Sequence, residues 1–235
     1  MKRAVDSVFE KAVEQLDREE RRLASLDKAG PSAGFDRDGF IAMNRALSYV
    51  VMGGVLEELM RDLPAALASD VVAQGVERRH LPVSLIAAID SAIFRQCGND
   101  TVASLIARAN IVQAVSSHPS DVRPVVDFGE VFKLADGSTI NEKHFAALWT
   151  LLGLAGDWRC DPKDTMLLKE IREKRNDVAH WLEDPVAVGR SKRPSDLRKM
   201  VKSLIDLVQH FHLAVWYWLD ERAAAVKASA VVAGP

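Results

Sequence analysis

Apolar residues along this chain recur at intervals of three and four, the spacing that gathers side chains on one face of an α-helix. Between Arg3 and Leu26, one side carries Val5, Phe9, Val13, Leu16 and Leu23, and the segment stops before Gly30-Pro31, which predicts an amphipathic first helix. Such a helix packs either on the body of the protein or, as an arm, on a partner. A longer helix is expected from Arg37 to Asp62, with Met43, Leu47, Val50, Val51, Val55 and Leu59 apolar. Gly53 and Gly54 fall inside it, and no strand precedes them, so they signal a close helix approach or a kink rather than a phosphate loop. Pro64 reads as the start of a new turn before a short helix from Ala65 to Ala73.

Further helices are expected from Leu81 to Gln96, with Pro82 in the first turn, and from a cap at Asp100 or Thr101 to Val115. Ser116 to Gly137, rich in Pro, Asp and Gly, is the least regular stretch, with a short strand or helix around Glu130 to Leu134. Asn141 to Leu152 reads as a helix ended by Gly153 and Gly156. Asp164 is expected to cap the next one, which carries Met166, Leu167, Leu168 and Ile171 into RNDVAHW. LEDPVAVGRSKRPS reads as a polar linker, and Ser195 or Asp196 then opens the longest helix. Its Leu197, Val201, Leu204, Val208, Phe211, Val215 and Trp218 form a continuous seam that Ile205, Leu207 and Trp216 widen. The tail from Ala223 is expected to fray. The prediction is an all-α fold: a helix or arm over residues 1–30, a helical domain over 37–222, and a frayed tail over 223–235.

With 48% hydrophobic and 27% charged residues in 235, the composition is that of a folded globular chain. The two cysteines, Cys97 and Cys160, exclude a disulfide scaffold. No apolar run approaches the ~20 residues that span a bilayer, and MKRAVDSVFEKAVEQ is too charged for a secretory signal, so a cytoplasmic protein without membrane attachment is expected. The net charge of −2 lacks the basic excess of a protein that coats nucleic acid. It is unevenly spread: Lys169 to Lys202 holds ten Lys and Arg against six Asp and Glu, a local +4 on a body of −6. That zone, with Lys174, Arg190, Lys192 and Arg193, can hold a phosphate backbone, or is simply a solvated basic face.

Most site chemistries find no pattern. His210 and His212 are two apart and so point about 160° from each other on a helix, and neither HxxxH nor CxxC occurs, so no metal is expected. GLAG at 153–156 lacks the strand of a dinucleotide fingerprint, GxSxG is absent, and no cofactor is expected. His118, beside Pro119, and His144, at a helix start, read as surface or capping residues.

RNDVAH, residues 175–180, survives. An Arg followed four to six residues on by a His is worth nothing alone, because 19 Arg and 6 His yield about 1.5 such pairs by chance. An Asn directly after the Arg makes it rare, since the chain has only five Asn. On a regular helix, residues five apart lie about 140° apart, so Arg175 and His180 share a site only where the helix ends or distorts between them, or where two copies contribute. Asn176 and Asp177 can then orient the pair or cap free backbone groups.

This motif resembles that of the HEPN superfamily, whose mark is an Arg, a polar residue that is often Asn, and a His four to six residues after the Arg, in an all-helical bundle; the match to its frequent RNxxAH form falls on Arg175, Asn176, Ala179 and His180. LLKEIREK resembles the lead-in helix, Ser195 to Asp220 the closing helix, and SYVVMGGVLEELMRDL the early helix that often bears an acid, here Glu57 or Glu58. The resemblance spans roughly Arg37 to Asp220, with the six-residue motif its specific part, and is greatest to small stand-alone bacterial members of the RiboL-PSP type. It implies a HEPN-type bundle with additional helices and a metal-independent endoribonuclease at a homodimer interface, in a toxin or phage-defence effector. The other reading it implies is a non-catalytic module for RNA binding, dimerisation or partner binding, with an antitoxin or nucleotidyltransferase as partner. Where many relatives have Gly after the His, this chain has Trp181, expected in the core, with base stacking as the alternative.

The chemistry suits these residue types. RNA carries its own nucleophile, the 2′-OH, so cleavage needs a base, an acid and a cation. A histidine, with an ordinary pKa near ~6.5, exchanges protons near neutral pH, which is the role implied for His180. Arg175 would hold the phosphate while negative charge builds, and Asn176 would orient His180 or the phosphate. The ends would be a 2′,3′-cyclic phosphate and a 5′-OH, and DNA, lacking the 2′-OH, would not be cut.

Overall fold

A computed structural model describes residues 2–29, 38–90, 102–129, 134 and 139–232. Among the described residues it is all-helical: α1 (Ala4–Ala29), α2 (Phe40–Ala73), α3 (Val83–Ile89), α4 (Val102–Ser117), α5 (Glu142–Leu152), α6 (Asp164–Ala179), α7 (Pro185–Arg190) and α8 (Pro194–Val232). The segment around Glu130, the cap at Asp100 or Thr101 and the helix end near Gln96 lie outside the described residues. No helix among those described is long and apolar enough to cross a membrane.

The core forms where the seams predicted by periodicity meet. Every residue of the α8 seam, Leu197 to Trp218, is buried, and Leu207 joins it. Trp216 lies largely outside, under the Arg3 guanidinium. The first helix is a body element: Val5, Phe9, Leu16 and Leu23 of α1 are fully buried against α2 and α8. Its start is tied down from another element. The buried Asp70 carboxylate, near the end of α2, accepts the backbone N–H of Ala4 at 2.8 Å and of Val5 at 2.9 Å. These donors have no partner within their own helix, and a carboxylate there also complements the helix dipole. Asp70→Ala is expected to cost about 2 kcal/mol and lower Tm by roughly 4–8 °C, with Asp70→Asn recovering part of the loss; thermal denaturation followed by circular dichroism checks both.

Four local expectations are corrected. Pro64 does not start a new helix; it lies buried inside α2, which is continuous to Ala73. Leu63, Ala66 and Leu67 are buried on either side of it, so packing outweighs the lost hydrogen bond. The polar linker contains α7, opened by an Asp184 side chain that accepts the Val186 N–H, with Pro185 at its first position. Nor does the tail fray at Ala223: α8 runs to Val232, where alanine-rich sequence favours helix and the Ser229 hydroxyl meets His80 Nε2 at 3.2 Å. At its other end, α8 begins at Pro194 rather than at Ser195 or Asp196. At α5 His144 does cap, its Nδ1 accepting the Asn141 N–H while the Asn141 side chain, just before the helix, accepts that of Lys143, and Gly153 closes the helix at φ 61°.

Candidate functional site

Helix α6 carries the motif out of the core. It buries Leu167, Leu168 and Ile171 and presents Arg175 to α2 and His180 at its end. Asp164 sits inside the first turn rather than at the cap, and its buried carboxylate accepts the N–H groups of Cys160 and Asp161, which folds the approach to the helix. Burial, and then the carboxylate beside it, push the Cys160 thiol up to about 11, so this cysteine is a poor nucleophile.

The arginine is positioned by four residues from three parts of the chain. Gly53 gives it room: a Cβ there would come within 2.9 Å of Arg175 Cγ, so the close approach expected at this glycine is met by the arginine stem. Glu57, one turn further along α2, takes Nη2 at 3.0 Å. On the other side Nη1 donates to Asn176 Oδ1 at 3.1 Å, and the Thr139 hydroxyl, 2.8 Å from the same Oδ1, lies 3.4 Å from Nη1. Asn176 therefore orients Arg175 rather than His180. Of the two acids, Glu57 faces the motif; Glu58 turns to α1, where hydrogen bonds from Lys11 and then Gln15 hold its carboxyl below the usual range.

The histidine is placed differently. Helix α6 stays regular through Ala179, so about 140° separate the directions of Arg175 and His180 within one chain. His180 is exposed and its ring has no hydrogen-bond or ion-pair partner among the described residues. The helix closes just after it, with Leu182 N–H bonded to Asp177 O at 2.9 Å and Trp181 N–H to Val178 O at 3.4 Å. That closure requires a left-handed residue at 181, and Trp181 supplies it with φ 54°. Its side chain is thereby turned off the helix end into solvent, 74% exposed, which corrects the core placement expected for it.

The basic residues are dispersed. Lys174 bridges Asp177 at 3.0 Å and Glu183 at 2.9 Å, the Glu183 bond foremost in holding its ammonium above the usual range. Lys192 is held by Glu170, whose carboxylate also accepts the buried Tyr49 hydroxyl. Arg190 and Arg193 are exposed, with no ion pair among the described residues. They lie some way from the motif: α7 sits on Ala42 through Gly189, while Arg175 sits on Gly53, about 16 Å further along α2.

Other chemistry is not concentrated here. Among the described residues no group of three His, Cys, Asp or Glu is arranged to hold a metal ion. An open cleft of about 480 Å³ lined by Trp149, His210, Tyr217 and Trp218 lies before the start of α6, at the opposite end from His180. Thr139 and Gly53 complete the setting of Arg175. The glycine had a signal in its place within a helix, whereas Thr139 had none. No protein-family model, curated protein or solved structure matches this chain.

Proposed function

We propose that this protein is a metal-independent endoribonuclease of HEPN type that acts on RNA as a homodimer, in the manner of a toxin or phage-defence effector. The observation that carries the reading is the end of α6: a guanidinium held in place by Glu57 and Asn176, and five residues on an exposed imidazole with no partner among the described residues. The roughly 140° between them supports the two-copy form, in which a second α6 across a two-fold axis brings another arginine and histidine. One His180 takes the proton of the 2′-OH as it attacks the neighbouring phosphorus. The bond from phosphorus to the 5′-oxygen breaks, and the other His180 protonates that oxygen. Arg175 stabilises the charge on the phosphoryl oxygens; its five N–H donors exceed the three contacts it makes here.

One observation favours a second reading. The same contacts hold the guanidinium in place, and Glu57 balances its charge, without any phosphate, as in a module that binds RNA or a partner, such as an antitoxin or nucleotidyltransferase, and cleaves nothing. The two readings separate when the purified protein meets tRNA, a single-stranded RNA and the all-deoxy form of that strand in EDTA. Cleavage of both RNAs to 2′,3′-cyclic phosphate ends, with the deoxy strand intact, is expected. Fragments with 3′-hydroxyl ends, cutting of the deoxy strand or loss of activity in EDTA would refute the mechanism. RNA that is bound and left whole would establish the second reading.

A further inference from the structure

Trp181 is the only non-glycine residue with a positive φ among those described; the other left-handed positions, 39, 75, 153 and 156, are all glycine. A side chain in this conformation strains the backbone, which is why glycine usually follows a helix end closed in this way. Burial does not compensate here. The indole is 74% exposed and the next residue, Leu182, is 70% exposed, so the apolar contact that often accompanies such a closure is missing too. Neither backbone preference nor core packing accounts for a tryptophan at this position. A ligand does, because strain and exposed aromatic surface together are retained where they serve binding.

We infer that Trp181 is a stacking platform for one nucleobase of single-stranded RNA, which sets the adjoining phosphate at His180. The inference takes its ligand from the ribonuclease reading and adds the residue that would position the strand. The surroundings favour a nucleotide over a second protein surface. The neighbouring side chain is His180, the nearby acids Asp177 and Glu183 are both held by Lys174, and the Asp184 carboxylate accepts the backbone N–H of Val186, so each of these carboxylates is engaged within the chain. A tryptophan supplies at most ~250 Å² of contact, too little to hold two copies together by itself, so beside the second copy that the ribonuclease reading brings to His180 it suits the single π-face of a base.

The test is the affinity of the full-length protein for a labelled 2′-O-methyl oligoadenylate, which cannot be cleaved by 2′-OH attack, read by fluorescence anisotropy beside tRNA cleavage, sizing and thermal denaturation. Trp181→Gly is expected to weaken binding roughly 5- to 100-fold while raising Tm by about 2 °C, because the strained position is relieved. Trp181→Phe is expected to restore most of the affinity. An oligomer of abasic nucleotides should bind wild type and Trp181→Gly equally. Unchanged affinity in Trp181→Gly, no binding by the wild type, or a loss that persists on the abasic strand would overturn the inference. So would a loss that accompanies conversion of a dimer to monomers, which would make Trp181 a contact between copies. Trp181-dependent binding without tRNA cleavage would remove the nuclease reading alone.

Discussion

Gly189→Ala is expected to destabilise the protein by at least ~3 kcal/mol and to lower Tm by roughly 6–12 °C. A Cβ at residue 189 would lie 1.7 Å from the carbonyl oxygen of Ala42 and 2.4 Å from its carbon. Both are backbone atoms inside α2, so no side chain can turn away, and α7 would have to lift off the start of α2. Helix propensity alone predicts the opposite sign, since alanine is favoured over glycine by about 1 kcal/mol inside a helix. Gly54 supplies the control: it is exposed on α2 with open space around its Cβ position, so Gly54→Ala should raise Tm by about 2–4 °C. Thermal denaturation of the two variants side by side checks both; equal shifts would mean that the contact at Ala42 does not form.

His180→Ala is expected to reduce RNA cleavage by about 10²- to 10⁴-fold, the range associated with losing a proton-transferring group, while leaving Tm within ~1 °C of wild type. The second half follows from its placement. The ring is exposed, closes no hydrogen bond or ion pair among the described residues, and follows the last residue of α6. Arg175 allows no such clean experiment. Its stem packs on Gly53, and removing it leaves Glu57 without its partner, so Arg175→Ala confounds activity with packing. Cleavage rates and Tm measured on the same His180→Ala preparation separate the chemical role from a structural one.

Much of the bundle was legible from hydrophobic spacing because long helices repeat their signal. The seven seam positions of α8 recur over 22 residues and all of them are buried. Short or unusual elements were harder. Six-residue α7 is too short to show a period, although Asp184-Pro185 carried a start signal that the surrounding polarity obscured. The intrinsic preference of Pro64 points to a helix start, and packing against both flanks overrides it. The candidate site divides in the same way. Asn176 and Glu57 reach Arg175 from within the motif and from the early helix, where the resemblance placed an acid. Thr139 comes from an irregular segment 36 residues before Arg175, and no spacing rule points to it. The hydrophobicity of Trp181 points to the core, and a left-handed backbone at a tryptophan leaves no trace in composition or period.

The most direct test of the central claim, that the end of α6 cleaves RNA without a metal, is end-group analysis of one RNA treated in EDTA with equal amounts of wild type and His180→Ala. Fragments ending in 2′,3′-cyclic phosphate in the wild-type sample, and their near absence with His180→Ala, are predicted. Equal amounts of cyclic phosphate in the two samples, or none in either, would contradict it.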